Sequence, residues 1–237
     1  METIPRKEGP KELMATYRYN TEEIERLIKT RRSVRLFKKD DLPDAMIERL
    51  IDLAHWAPSG MNAQPWKFVV IKNRDLLEDI RKATLKGMAL AMKVFTKKQL
   101  PWRLMKLMVR LLKPSMYRIM DPRALQGSRA LLEVPHTDIL LRAPAMILVL
   151  GNNGSSTAIE DCSAATQNLA LAAHAYGLGS CWIGFVEKFL PLNKKICKKL
   201  GIGGEWFLAT ATALGYPMTD YGRKFIERDP ADVEWIR

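Results

Sequence analysis

The chain has 237 residues, of which 47% are hydrophobic and 27% charged, and this composition excludes a largely disordered or collagen-like protein. Its longest apolar run, residues 143–150, is far shorter than the roughly 20 residues that cross a bilayer. Three cysteines without a C-x-x-C pair argue against a disulfide framework and a zinc site, so we expect no bound metal. Residues 1–20 lack the apolar core of a secretory signal peptide, which predicts a cytoplasmic protein.

The positive charge is concentrated in one part of the chain. The net charge is +12, and residues 86–129 alone contain eleven basic residues and one acid. Within this window Arg103, Lys106, Arg110 and Lys113 recur every three or four residues among apolar ones, the pattern of a narrow basic stripe on an apolar helix. Six of the 12 methionines also fall here, and methionine suits surfaces that repack around different partners. The window predicts a cover or a docking surface.

Helical and strand patterns alternate along the chain without internal repeats. The apolar spacing and the Gly, Pro and capping residues predict helices over residues 20–31, 41–57, 74–83, 157–176 and 193–200, and strands over residues 66–71, 144–150, 180–183 and 206–214. Glu160 and Asp161 lie at the start of the long fourth helix, where negatively charged side chains interact favourably with the positive end of the helix dipole. No linker divides the chain. We therefore expect an N-terminal arm (residues 1–19) and one domain (residues 20–237) that carries an insertion at about 86–142.

Two segments contain groups suited to binding a polar ligand. Residues 31–35, here called the arginine segment, place three guanidiniums and one hydroxyl within five residues, and arginine forks match phosphate oxygens. Cations at the end of a helix also complement its dipole, so this run alone does not establish a phosphate site. In residues 58–65, here called the proline-flanked loop, two prolines bracket Ser, Gly, Asn and Gln before a predicted strand. Such a loop either presents polar groups to a ligand or is an ordinary turn.

These two motifs, together with residues 161–178, residues 179–184 and the Gly-Tyr-Pro sequence at 215–217, closely resemble the FMN-dependent nitroreductase family. The resemblance runs from about residue 21 to residue 224 with the motifs in the family's order. It implies an α+β sandwich in which helices flank a mixed central sheet. It also implies an intertwined homodimer with two FMN sites at the interface.

The resemblance assigns three groups of residues to the cofactor. The group that holds the FMN phosphate and ribityl chain comprises Arg31, Arg32, Ser33, Arg35 and, after Gly-Tyr-Pro, Arg223, for which Lys224 is the alternative. The loop that the second subunit brings to the flavin comprises Pro58, Ser59, Gly60 and Asn62. The turn whose backbone lies over the ring near N5 comprises Ile183 and Gly184.

The implied activity is a ping-pong cycle in which NADH or NADPH reduces bound FMN, and a small acceptor such as a nitroaromatic or quinone then takes the electrons. Because the flavin carries the hydride chemistry, no titratable triad is needed, and we assign no side chain a catalytic role. No G-x-G-x-x-G sequence follows a predicted strand, so a separate Rossmann nucleotide site is not expected.

Two alternatives remain open from the sequence. One is a specialised flavoenzyme, either a reductive dehalogenase resembling iodotyrosine deiodinase or the flavin-cleaving enzyme of dimethylbenzimidazole synthesis. The other is a binding module with non-catalytic FMN, in which residues 86–129 dock an acidic electron-transfer protein or an anionic membrane surface. Nucleic-acid binding is not expected, because the basic window has few aromatic residues for base stacking.

Overall fold

The computed structural model describes residues 19–96, 122–133, 138–219 and 228–237. Within these ranges the strands are β1 (Trp66–Ile71), β2 (Ala145–Asn152), β3 (Gly179–Trp182) and β4 (Trp206–Gly215). The helices are α1 (Thr21–Thr30), α2 (Asp44–His55), α3 (Arg74–Thr96), α4 (Pro122–Glu133), α5 (Ala158–Ala175), α6 (Gly184–Phe189) and α7 (Lys194–Lys199). Short 3-10 turns occupy Gly60–Asn62 and Leu190–Leu192.

The four strands form one sheet in the order β1-β2-β4-β3. All three neighbouring pairs are antiparallel, and a single parallel bridge joins Ser33 to Ser180 outside the named strands. The expected α+β class is therefore confirmed. We expected a mixed sheet, and in the described residues the only parallel pairing is that one bridge. Neighbouring strands run in opposite directions, and the segment after α1 runs parallel to β3.

Both faces of the sheet are covered by helices. Alternate residues of β2 point to opposite sides, and seven of its eight residues are buried. On one side Met146 and Leu148 pack in a core with residues of α3, α6 and α7. On the other side Ile147 packs with α2 and α5. This three-layer arrangement holds the ends of β3 and α5 in fixed positions, and those ends carry the candidate site.

Most predicted elements are present with small shifts in their ends. Residues 66–71 form a strand as predicted, and Asn20 caps α1 by accepting a hydrogen bond from the amide of Glu23. The second helix begins at Asp44 and not at residue 41, because Pro43 occupies the N-cap with non-helical backbone angles and Leu42, just before it, is buried outside the helix. The third helix continues to Thr96, well beyond the predicted residue 83. Sequence patterns did not predict α4 or α6.

Part of the sequence predictions falls outside the described ranges. The basic stripe from Arg103 to Lys113, almost all of the N-terminal arm, Arg223 and Lys224 are among these residues, so their predicted roles stay predictions. One piece of the insertion is described: α4 packs against α3, and its Gly127 lies near the ring of Phe185 in α6. None of the described helices combines the length and the apolarity that crossing a membrane requires.

Candidate functional site

The arginine segment lies along the outer edge of β3. The amide of Val34 donates to the carbonyl oxygen of Ser180 at 3.0 Å, which makes the parallel bridge between residues 33 and 180. Val34 is buried directly against Gly179, where an added Cβ would lie 2.8 Å from the Val34 side chain. A residue without a side chain at position 179 therefore lets the arginine segment approach the strand.

The chain after the arginine segment contacts the Gly-Tyr-Pro motif. The amide of Lys38 donates to the carbonyl oxygen of Tyr216 at 2.8 Å, and the amide of Met218 donates to the carbonyl oxygen of Leu36 at 3.0 Å. Phe37 forms an antiparallel bridge with Pro217. The structure thus brings together two motifs that are about 180 residues apart in the sequence, as a shared phosphate site requires.

The arginine segment creates a positive environment. Among the described residues, no carboxylate forms an ion pair with Arg31 or Arg35. Burial raises the pKa of the Cys181 thiol, and the charges of Arg35 and Arg31 partly offset this rise. Burial lowers the pKa of His174, and the charge of Arg31 lowers it further. Unpaired cations beside a neutral imidazole suit an anionic ligand group such as phosphate.

His174 is attached to the end of the first helix. Its Nε2 atom lies 2.8 Å from the hydroxyl oxygen of Thr30, the residue before the arginine segment. His174 stands in the last turn of α5. The C-terminal end of α5 is therefore fixed next to the arginine segment.

The turn formed by Ile183 and Gly184 follows β3 on the same edge of the sheet. The amide of Ile183 donates to the carbonyl oxygen of Ala211 at 2.7 Å, and its side chain is buried. A Cβ added to Gly184 would meet no atom within 4 Å, so there is open space over this backbone. Ile183 lies three residues along the chain from Ser180, about 10 Å away. One chain therefore places Arg31 and Arg35 a short distance from an uncovered backbone turn, which fits FMN with its phosphate and ring at the two ends.

The proline-flanked loop has an unusual backbone. Met61, Asn62 and Gln64 have φ angles of 53°, 54° and 47°, in the left-handed region that non-glycine residues rarely adopt. The amide of Gln64 donates to the Ser59 hydroxyl at 3.0 Å, and the Gln64 side-chain amide donates to Oδ1 of Asn62 at 2.9 Å. Strained backbone of this kind persists only where its surroundings fix it, and it clusters at binding sites.

Asp161 fixes this loop to the start of α5. Its Oδ1 atom accepts from the amide of Gly60 at 3.2 Å, and its Oδ2 atom accepts from the hydroxyl of Thr157 at 2.9 Å. A Cβ on Gly60 would lie 2.6 Å from the same hydroxyl oxygen. The helix-dipole interpretation of Asp161 is therefore incomplete, because this buried carboxylate also holds a loop 101 residues away in the sequence. No sequence signal distinguishes it from its exposed neighbour Glu160.

The proline-flanked loop and the arginine segment lie at opposite ends of α5. Asp161 holds the loop near the start of the helix, and His174, at the other end, lies beside Thr30 and Arg31. Thirteen residues of helix separate Asp161 from His174, a rise of about 20 Å. The structure thus gathers the arginine segment with Ile183 and Gly184, and it leaves Pro58, Ser59, Gly60 and Asn62 apart from them within one chain.

A second acidic residue that sequence patterns did not predict lies next to Ile183 and Gly184. The Oε1 atom of Glu187 accepts hydrogen bonds from the indole Nε1 of Trp182 and from the amide of Ala211, the latter at 3.2 Å. Burial raises the pKa of Glu187, and these two hydrogen bonds lower it in part. The carboxylate therefore connects α6 to both β3 and β4.

Comparison with known proteins gives this geometry a context. A protein of Archaeoglobus fulgidus with the provisional name NADH dehydrogenase/NAD(P)H nitroreductase is 28% identical over 208 residues, which cover 88% of this chain and 92% of that protein. An iodotyrosine deiodinase of Hydra vulgaris is 49% identical over 51 residues, 22% of this chain and 19% of that protein.

Solved structures and a family model agree with the sequence resemblance. A nitroreductase from Bacteroides fragilis, with bound FMN, superposes with a TM-score of 0.65 at 21% identity and covers 91% of this chain and 97% of that chain. This likeness confirms the nitroreductase-like fold. The model of the Nitroreductase family matches residues 28–216. The chain therefore belongs to the Nitroreductase family.

Proposed function

We propose that this chain is an FMN-dependent oxidoreductase that passes a hydride from NADH or NADPH to a small electron acceptor such as a nitroaromatic or a quinone. The observation that carries the proposal is the placement of the arginine segment about 10 Å along the chain from Ile183, the residue before the open backbone at Gly184. The FMN bound in the Bacteroides fragilis relative supports the cofactor. The name of the Archaeoglobus fulgidus relative supports a nicotinamide donor.

The residues of one chain hold the phosphate and one face of the ring. Arg31 and Arg35 supply permanent positive charge, and Arg223 completes the phosphate site in the family pattern. Arg32 and Ser33 supply donors for the phosphate and the ribityl hydroxyls. Ile183 and Gly184 lie against the ring, because a flat apolar ring needs a slot with few side chains and some backbone donors. When bound, FMN supplies the hydride chemistry, so these residues bind and orient it and need no proton transfer.

A second copy of the chain completes the site. The proline-flanked loop lies about 20 Å from the arginine segment along α5, farther than an FMN extends from its phosphate to its ring. The loop is exposed and strained, and Asp161 fixes its conformation. We propose a homodimer in which Pro58, Ser59, Gly60 and Asn62 of one subunit reach the flavin held by the arginine segment of the other.

The test is the visible spectrum of the purified protein, recorded anaerobically before and after addition of NADH and, separately, NADPH. A flavin spectrum that bleaches with either nucleotide and returns when menadione or nitrofurazone is added is the expected result. The double variant Arg31→Ala/Arg35→Ala should contain much less flavin, and Lys67→Ala, a surface cation on β1, is the matched control. Protein that remains colourless after reconstitution with FMN would refute the proposal.

Reductive dehalogenation is a second candidate, because the Hydra vulgaris iodotyrosine deiodinase shares 49% identity over a short region. The deiodinase resemblance implies a lid whose acid, tyrosine and lysine bind a zwitterionic substrate. The basic window offers Tyr117 but only one acid, Asp121, among many cations, so it matches that lid poorly, and both residues lie outside the described ranges. Incubation of the reduced protein with 3-iodotyrosine and measurement of released iodide separates the two activities. Iodide release faster than nitrofurazone reduction would favour the dehalogenase.

A further inference from the structure

The end of β3 leaves one backbone amide of β4 without its usual partner. The last residue pair of the two strands is Trp182 with Thr212. The next pair, Ile183 with Ala211, keeps only one of its two ladder hydrogen bonds: the amide of Ile183 donates to the carbonyl oxygen of Ala211. The carbonyl of Ile183 instead accepts from the amide of Val186 at 3.0 Å, because the chain turns into α6. The amide of Ala211 therefore lacks the strand carbonyl that an antiparallel ladder supplies.

Glu187 supplies the missing acceptor. Its Oε1 atom takes the amide hydrogen of Ala211 and also that of the Trp182 indole. The side chain reaches this position from the second half of a six-residue helix that begins at Gly184. One carboxylate oxygen thus joins the last residue of β3, the buried point on β4 where its pairing with β3 ends, and α6. The turn of Ile183 and Gly184 is enclosed between these three attachment points.

The cost of partly burying a carboxylate makes a purely incidental contact a poor explanation. Burial raises the pKa of Glu187 because desolvation disfavours the charged form, and the hydrogen bonds from Trp182 and Ala211 offset this only in part. An acidic side chain near the start of a helix also interacts favourably with the helix dipole. That interaction does not require the carboxylate to leave the solvent. Glu187 points instead at Ala211 on the sheet.

We propose that Glu187 is a positioning residue that fixes the backbone of Ile183 and Gly184 against the flavin ring. This inference rests on the proposed function and goes beyond it, because the family resemblance assigns the turn to the flavin but gives no role to Glu187. The carboxylate acts through Ala211 and Trp182 and does not itself contact the cofactor. Loss of its acceptor oxygen loosens the turn and weakens binding at the ring end of the flavin.

The variants separate the acceptor from the charge. Glu187→Gln keeps a carbonyl oxygen at the same place and removes the charge, whereas Glu187→Ala removes both. Trp182→Phe removes only the indole donor and leaves the bond to Ala211. Glu205→Ala, an exposed acid just before β4, is the matched control. The first measurement is hydrogen exchange of the flavin-free protein, resolved for the amides of residues 183–187 and of Ala211.

We expect Glu187→Ala to raise the exchange rate of these amides by at least about tenfold, the factor for one lost hydrogen bond to a charged group. Glu187→Gln, Trp182→Phe and Glu205→Ala should stay within about threefold of wild type, because each keeps the bond to Ala211. Unchanged exchange in Glu187→Ala would overturn the inference at its first step. Equal acceleration in the Gln variant would show that charge, and not the acceptor, is responsible, and would also overturn it.

The second measurement compares binding of FMN and riboflavin by fluorescence quenching. Because the turn lies at the ring end, Glu187→Ala should raise both dissociation constants by a similar factor, about tenfold. It should also shift the visible flavin bands, and Glu187→Gln should restore affinity and bands. Arg35→Ala, at the phosphate end, should weaken FMN binding alone.

The outcomes distinguish this inference from the proposed function. A protein that binds flavin, but whose Glu187→Ala variant keeps wild-type affinity and bands, would overturn the role of Glu187 and leave the proposed function intact. Wild-type protein that binds neither FMN nor riboflavin would overturn the proposed function, and with it the role of Glu187 toward a flavin. The exchange measurement would then still report whether Glu187 holds the turn.

Discussion

Replacing Gly179 with alanine tests the packing that places the arginine segment beside β3. The new Cβ would lie 2.8 Å from the Cβ and both γ carbons of Val34, whereas apolar carbons pack at about 3.5–4.0 Å. Val34 would have to withdraw by about 1 Å to restore that contact distance. Its side chain is buried and its amide is bonded to Ser180, so the backbone of the arginine segment must move with it.

The structure gives a size for this effect. Forcing extra carbon into a packed site costs about 1–3 kcal/mol. For a chain of this length each kcal/mol lowers the melting temperature by about 2–4 °C. We therefore expect the flavin-free Gly179→Ala variant to melt about 2–12 °C below wild type in a circular-dichroism scan. FMN should bind more weakly, because Arg31 and Arg35 shift with Val34.

Gly184→Ala is the matched control, since its added Cβ meets no atom within 4 Å and its φ lies outside the left-handed region. The free energy of unfolding of the flavin-free variant should stay within about 0.5 kcal/mol of the wild-type value. Its FMN affinity should still fall, because the methyl group occupies the space over the turn. A Gly179→Ala protein with wild-type melting temperature and FMN affinity would refute the idea that close packing at Gly179 places the arginine segment.

Three further predictions concern the ionisable groups. Because the pKa of His174 is lower in the folded state than in the unfolded chain, protonation favours unfolding. Stability should fall as the pH drops below about 6.5, and His174→Gln should flatten that slope in urea titrations. Asp161→Ala should cost about 1–3 kcal/mol in urea unfolding, because it leaves the amide of Gly60 unpaired. Asp161→Asn, which keeps an acceptor, should cost less, and equal losses would contradict the hydrogen-bond explanation. Arg81 holds the pKa of Glu78 at about 2, so this pair stabilises the fold above pH 4.5 and loses its effect as the pH falls toward 2. The Glu78 side chain is 42% exposed, so Glu78→Gln should cost less than about 1 kcal/mol at pH 7 and nothing near pH 2.

The strands could be predicted from the sequence because each buried strand is a short local run of apolar residues. Residues 66–71 form β1 with the predicted ends, and the alanine-rich pattern before Gly177 locates α5 to within one residue at each end. Short elements could not be predicted in the same way. The six-residue α6 has no capping side chain at Ile183, and its position depends on contacts with β4 that are formed only in the folded chain.

The candidate site could be predicted in its parts but not in its arrangement. Motif resemblance assigns the arginine segment, the proline-flanked loop and Ile183 with Gly184 to one cofactor. It does not say that α5 keeps two of these groups about 20 Å apart within a chain. Asp161 and Glu187 have no motif of their own, because each acts on a backbone amide that is distant in the sequence, 101 and 24 residues away respectively.

A site shared between two subunits can be tested most directly by mixing two defective chains. One chain carries Arg31→Ala/Arg35→Ala, and the other carries Gly60→Val, whose side chain would collide with Thr157 and displace the loop. Each homodimer should bind FMN poorly. In the mixed dimer, one site combines the intact arginine segment of one chain with the intact loop of its partner.

The measurement is the FMN content of mixed dimers isolated by two different affinity tags, with wild-type protein and each homodimer as references. We predict about one FMN per mixed dimer, half the content of a wild-type dimer with two sites. Mixed dimers that bind no more FMN than the mean of the two defective homodimers would show that each site is built from a single chain. That result would contradict the proposed homodimer, in which the loop of one subunit reaches the flavin held by the other.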